Sequence, residues 1–162
     1  MSSLWSVSLH APVRGLSLAR EAELLLARTE NSTLWLLNGQ GDPQGSIALA
    51  GASVGCIADD GSALAAAGVT GQVWWLTRDL TMRWERRLAT GALTAAVDSF
   101  GHYLAVAEKS GGLSLYSQFG DLLGQFQSPR AIHHLAFVPA GTQLVAAADF
   151  GWCGCLELTT GE

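Results

Sequence analysis

Glycines at positions 61, 101 and 141 stand 40 residues apart, and each precedes the same sequence of events: an apolar run, a small polar turn, a second apolar run. The three copies read DDGSALAAAGVTGQVWWLT, SFGHYLAVAEKSGGLSLYS and PAGTQLVAAADFGWCGCLE; a fourth, REAELLLARTENSTLWLLN, lies 39 residues before the first. Leu25, Leu64, Leu104 and Leu144 form one column of this register, and Leu34, Val73, Leu113 and Cys153 another. Ser32, Gly71, Gly111 and Gly151 share the turn between them. Four copies in register constrain the fold more than any single motif does.

Each copy is flanked by further short apolar runs. Upstream lie Gly15 to Leu18, Val54 to Ile57, Thr94 to Val97 and His134 to Phe137; downstream lie Ser46 to Leu49, Met82 to Leu88 and Leu122 to Phe126. A unit therefore holds four strands, a to d, separated by turn signals. Nineteen glycines and four prolines agree with many short strands and tight turns. Residues 19 to 28, AREAELLLAR, have the propensity of a short helix. Their counterparts include GHYLAVA, a strand-like run, and copies of a repeat share one structure, so strand is expected there too. Four strands per roughly 40 residues is the pattern of a propeller blade. The expected fold is all-β: a β-propeller with four four-stranded blades per chain, the repeats covering about 13–49, 52–88, 91–126 and 130–162.

Residues 99 to 126, SFGHYLAVAEKSGGLSLYSQFGDLLGQF, and residues 131 to 148, AIHHLAFVPAGTQLVAAA, resemble repeats of the WD-repeat and quinoprotein-like β-propeller families. The resemblance lies in the repeat pattern. Leu37-Asn38, Leu76-Thr77, Tyr116-Ser117 and Leu156-Glu157 stand where the WD-repeat family carries Trp-Asp, so it implies a fold and no catalytic roles. It also implies binding through the d–a and b–c loops on one face of the ring. Those loops carry His10, Arg14, Glu30, Asn31, Lys109, Arg130, His133, Phe150 and Trp152. Trp152, beside a glycine turn, is either an exposed aromatic anchor or a ring packed in a seam between blades.

The N-terminal SSLWSVSLHAPV aligns with MRWERRLATGAL, placing Trp5 on Trp84 and Leu9 on Leu88, so residues 4–9 read as a strand d without its own blade. Leu4, Trp5, Val7 and Leu9 are then expected to complete the last blade, which ends after its strand c. Three arrangements satisfy this: a closed four-bladed monomer, an eight-bladed ring of two chains, or part of a longer propeller. The alanine-dominated b strands (Ala65 to Ala67, Ala105, Ala107, Ala146 to Ala148) suit flat, close sheets and favour the two-chain ring. The tryptophans on strands c and d, which could fill a wider wedge, favour the monomer.

Composition bounds the rest. Hydrophobic residues make up 49% of the chain, which excludes disorder, and a net charge of −5 with nine scattered basic residues leaves no footprint for nucleic acid or anionic membrane. The N-terminus lacks the basic and apolar regions of a signal peptide, and three cysteines do not form a closed disulfide framework, so a cytoplasmic protein is expected. Cys153 and Cys155 are expected to be buried in a strand and inert. No Gly-x-Ser-x-Gly elbow or phosphate loop is present, and Asp59-Asp60 read as turn formers. His133 and His134 could line a channel mouth or simply serve a seam between blades. The expected function is a non-enzymatic interaction scaffold, a homodimer with a further protein partner and no cofactor or metal. The alternatives are a quinoprotein-like enzyme or a small-ligand-binding propeller.

Overall fold

Short apolar runs broken every six residues or so by turn formers can pair only with their chain neighbours, and antiparallel sheets result. The computed structural model describes residues 2–139 and 142–158. It holds fifteen strands in four antiparallel sheets and no α-helix among the described residues. Sheet 1 comprises β1 (Val13–Ala19), β2 (Leu24–Thr29), β3 (Thr33–Asn38) and β4 (Pro43–Ala48). Sheet 2 comprises β5 (Ala52–Ile57), β6 (Ala63–Gly68), β7 (Gln72–Thr77) and β8 (Met82–Arg87). Sheet 3 comprises β9 (Ala92–Val97), β10 (Tyr103–Glu108), β11 (Gly112–Ser117) and β12 (Leu122–Gln127). Sheet 4 has three strands, β13 (Ile132–Phe137), β14 (Gln143–Ala148) and β15 (Cys153–Glu157).

Residues 20–23, where helix propensity is high, form a turn, and Leu24–Thr29 is a strand paired with both β1 and β3. Two ladders and a buried face outweigh propensity there. The turns are built by specific side chains. The buried Asp98 carboxylate accepts the backbone N–H groups of His102 at 2.6 Å and Tyr103 at 2.7 Å, fixing the β9–β10 turn. Asp60 does the same for Ser62 before β6. Gly71 closes the β6–β7 turn at φ 95°, and a Cβ there would lie 2.9 Å from the carbonyl oxygens of Leu88 and Thr90. Only glycine fits.

The sheets pack face to face in chain order, with inner strands touching in succession: β1 on β5, β5 on β9, β9 on β13. Strand alternation sends Ala66 toward sheet 1, beside Leu26 and Leu34, and Ala65 and Ala67 toward sheet 3, beside Leu104 and Val106. Small residues on both faces of β6 let the flanking sheets approach closely. Ala105, Ala107 and Leu113 of sheet 3 meet Ile132, Leu144 and Ala146 of sheet 4 in the third seam.

Cys56 is sealed in the seam between sheets 2 and 3, and burial pushes its thiol up to about 12. Native protein at pH 8 is therefore expected to leave Cys56 unlabelled by a thiol reagent until denaturant is added. The raised value also carries a sign for stability. Below pH 9.0, the ordinary thiol value, both states keep the proton; between there and about 12 only the unfolded chain loses it, so stability declines across that window. Labelling at the rate of a free thiol would contradict the burial.

At the two ends of the array the single chain leaves surfaces that the seams cover elsewhere. Residues 4–9 form no ladder among the described residues, with Leu4 exposed, Trp5 and Val7 partly exposed, and Leu9 buried. Cys153 and Cys155 were expected to be buried; both are free and exposed, because no described residue covers the outer face of β15. Among the described residues no contact comparable to the three seams brings β13 back to β1, so the four sheets do not close a ring.

Candidate functional site

In an antiparallel four-stranded sheet the start of the first strand, the turn between the second and third, and the end of the fourth share one edge. That edge of the array carries all nine loop residues singled out above. They fall into two groups. In sheet 1, Arg14 Nη2 donates to Glu30 Oε1 at 2.7 Å, and the Thr29 hydroxyl donates to Asn31 Oδ1 at 2.6 Å. His10 lies just before, at φ 61°. In sheet 4, Arg130, His133, Phe150 and Trp152 converge around the β14–β15 turn. His133 Nε2 sits 3.2 Å from Asp149 Oδ2, and the Arg130 guanidinium lies 4.9 Å from the centre of the Phe150 ring. Trp152 is half-buried and stacks at 6.4 Å on Phe126 of the preceding sheet. Lys109 stands apart, its backbone N–H donated to Gly91 O at 2.9 Å in sheet 3.

Of the two readings of Trp152, the seam with sheet 3 is the one its ring takes. Its neighbour Phe150 is the exposed one, at 89% of its surface. Phe150 also holds φ 61° and ψ 31°, a left-handed conformation that a bulky side chain rarely adopts. Thr70 and Ser110 stand at the matching turn positions of sheets 2 and 3. Asp149 next to His133 completes a small set of two charges and an aromatic face, suited to a polar partner surface with a planar or cationic group.

Sequence reasoning missed a second feature, on the opposite edge. A groove of about 770 Å³ lies between sheets 1 and 2, with Leu24 and Leu36 in its floor and Gln44, Ser62, Thr77, Arg78 and Arg83 around it. Neither arginine has a carboxylate partner among the described residues. Asp79 is occupied otherwise: the Thr77 hydroxyl and the Thr81 backbone N–H donate to it and hold its carboxyl below the ordinary range. The signal was available, because Arg78 and Arg83 align with Gly39 and Gln44 in the first repeat and with Gln118 and Leu123 in the third. Among the described residues no group of three or more His, Cys, Asp or Glu is placed to hold a metal ion, and no helix is long and apolar enough to cross a membrane. No protein-family model matches the chain, and a search of the curated proteins finds no match.

Proposed function

We propose that the protein is a non-enzymatic interaction scaffold: a divergent β-propeller of the WD-repeat or quinoprotein-like kind whose ring is eight-bladed and built from two chains. Partners dock on the edge that carries the β14–β15 turn. The observation that carries the docking role is Phe150, an aromatic ring held almost fully exposed in a strained turn with Arg130 against it. The two-chain ring adds a reason for the split of the candidate residues. In it, sheet 4 of one chain lies beside sheet 1 of the other, so His10, Arg14, Glu30 and Asn31 meet Arg130, His133 and Phe150 across the joint. Each ring then holds two composite sites related by a two-fold axis. Exposed free thiols fit a reducing compartment such as the cytoplasm.

Light scattering is expected to give a particle of about 34 kDa, twice the 17.0 kDa chain. Tagged protein should retain a partner that Phe150→Ala loses at unchanged mass and melting temperature. A 17 kDa particle would replace the two-chain ring by a closed single chain, and irregular oligomers would mark a part of a longer propeller. The groove at Arg78 and Arg83 favours one second reading, a small-ligand-binding propeller for an anionic molecule. A melting shift with small carboxylates or phosphates, abolished by Arg83→Ala, would support it.

A further inference from the structure

Trp84 of β8 donates its indole N–H to Gln118 O at 3.0 Å, 34 residues ahead, in the β11–β12 turn of the next sheet. Trp5 donates to Gly39 O at 3.1 Å, also 34 residues ahead, in the β3–β4 turn. The match extends to shape. A Cβ on Gly120 would lie 3.1 Å from the Trp84 ring, and one on Gly41 would lie 2.5 Å from the Trp5 ring. Between sheets 1 and 2 the sizes are exchanged: Gly45 is on the strand and Leu80 on the turn, 3.1 Å from a Cβ built on Gly45. Leu9 follows the same rule. It packs on Ala27 and Leu37, as Leu49 packs with Ala66 and Leu76 one sheet later. Residues 4–9 therefore sit on sheet 1 in the seat that the outer strand of one sheet takes on the next.

At the other end the converse holds. Sheet 4 has three strands, and the outer edge of β15 has no partner among the described residues. Its outward face shows Cys153 and Cys155, while sheet 1 turns Leu16 and Leu18 outward, each 66% exposed. An open strand edge and two open apolar faces are strong drives to associate. The arc does not bring β13 back to β1, so a chain's own segment does not reach its own β15. A second copy would bring both a strand for that edge and a face for each open sheet.

We infer that the open edge of β15 receives residues 4–9 of a second copy, antiparallel, with Trp5 opposite Cys155 and Val7 opposite Cys153. The inference rests on the two-chain ring proposed above and adds its joint and register. The register is set by the pairs Trp75 with Trp84 and Leu115 with Gly124, and by Val73 with Arg86 and Leu113 with Phe126. Directly opposed residues bring their Cβ atoms to about 5 Å, within reach of a short thiol cross-linker.

Val7→Cys is expected to cross-link to Cys153 between chains, doubling the mass on a denaturing gel, with peptide mapping joining positions 7 and 153. Ser8→Cys, on the other face of the strand, should give a several-fold lower yield. Gly41→Leu should reduce the Val7→Cys yield several-fold by displacing Trp5, and adding Trp5→Gly should restore it by recreating the Gly45 and Leu80 pair. A 7–153 bond within one chain would overturn the assignment to a second copy. An uncross-linked particle that still scatters as a dimer would overturn this joint while leaving the two-chain ring standing. An uncross-linked monomer would overturn both.

Discussion

Gly91→Ala is expected to destabilise the protein at or beyond the top of the usual overpacking range of about 1–3 kcal/mol. Gly91 lies in the connection that enters sheet 3, and a Cβ built on it runs into the carbonyl oxygen of Val69, with the Val69 carbonyl carbon at 2.8 Å. Neither backbone can yield. The Val69 N–H donates to Gly51 O at 3.0 Å, and Gly91 O accepts from the Lys109 N–H at 2.9 Å, so both segments are tied into their own sheets. The added methyl must therefore open the seam between sheets 2 and 3, which holds Trp75, Trp84 and Leu104. Gly124→Ala is the control. Nothing lies within 4 Å of a Cβ there, and the change should fall within about 0.5 kcal/mol of neutral. Urea melts of the two variants should show a large fall in midpoint for the first and none for the second. Coincident curves would mean that Gly91 has room.

The contrast between these two glycines shows what a repeat pattern can and cannot reveal. Apolar alternation and turn residues were enough to place strands, because each strand pairs with its immediate chain neighbours. The strand at Leu24–Thr29 was legible only through its copies, since AREAELLLAR alone reads as helix. Other features depend on what lies across a seam or beyond an edge. Cys153 occupies the column of Val73 and Leu113, both buried, yet it is exposed because no described sheet packs on that face. Trp152 sits beside a turn glycine, where its residues alone left exposure and seam packing open, and Phe126 of the preceding sheet takes its ring. Phe150 could not be ranked above it, because backbone strain has no composition signal. The arginine groove was readable as an exception within the repeat, and comparing copies for their differences would have found it. The seat of residues 4–9 was half legible. Their alignment with strand d was in the sequence, but the exchange of Trp5 and Gly41 for Gly45 and Leu80 becomes meaningful only once the turns are seen to face the strands.

Trp84→Ala should be the most damaging side-chain truncation, costing about 3–5 kcal/mol. The ring is buried at 9% exposure and stacks on Trp75 at 5.7 Å with an interplanar angle of 15°. It also meets Tyr116 across the seam at 5.8 Å. Its indole N–H satisfies Gln118 O, and the Arg86 guanidinium lies 5.6 Å from its centre. Truncation empties the middle of the contact between sheets 2 and 3 and leaves a carbonyl without its donor, so cavity and hydrogen-bond losses add. At a few degrees per kcal/mol for a chain of this size, the melting temperature should fall on the order of 10 °C. Trp84→Phe keeps much of the stacking and loses the donor, and should cost about 1–2 kcal/mol. Trp5→Ala provides the internal comparison, because Trp5 makes the same hydrogen bond from a ring that is 41% exposed in the single chain. If that ring is covered only by association, its truncation should cost little in thermal melts at concentrations where the protein is monomeric. The cost should grow with protein concentration, while that of Trp84→Ala stays fixed. Melts of both variants across a hundredfold dilution separate a seam inside the chain from one that two chains share.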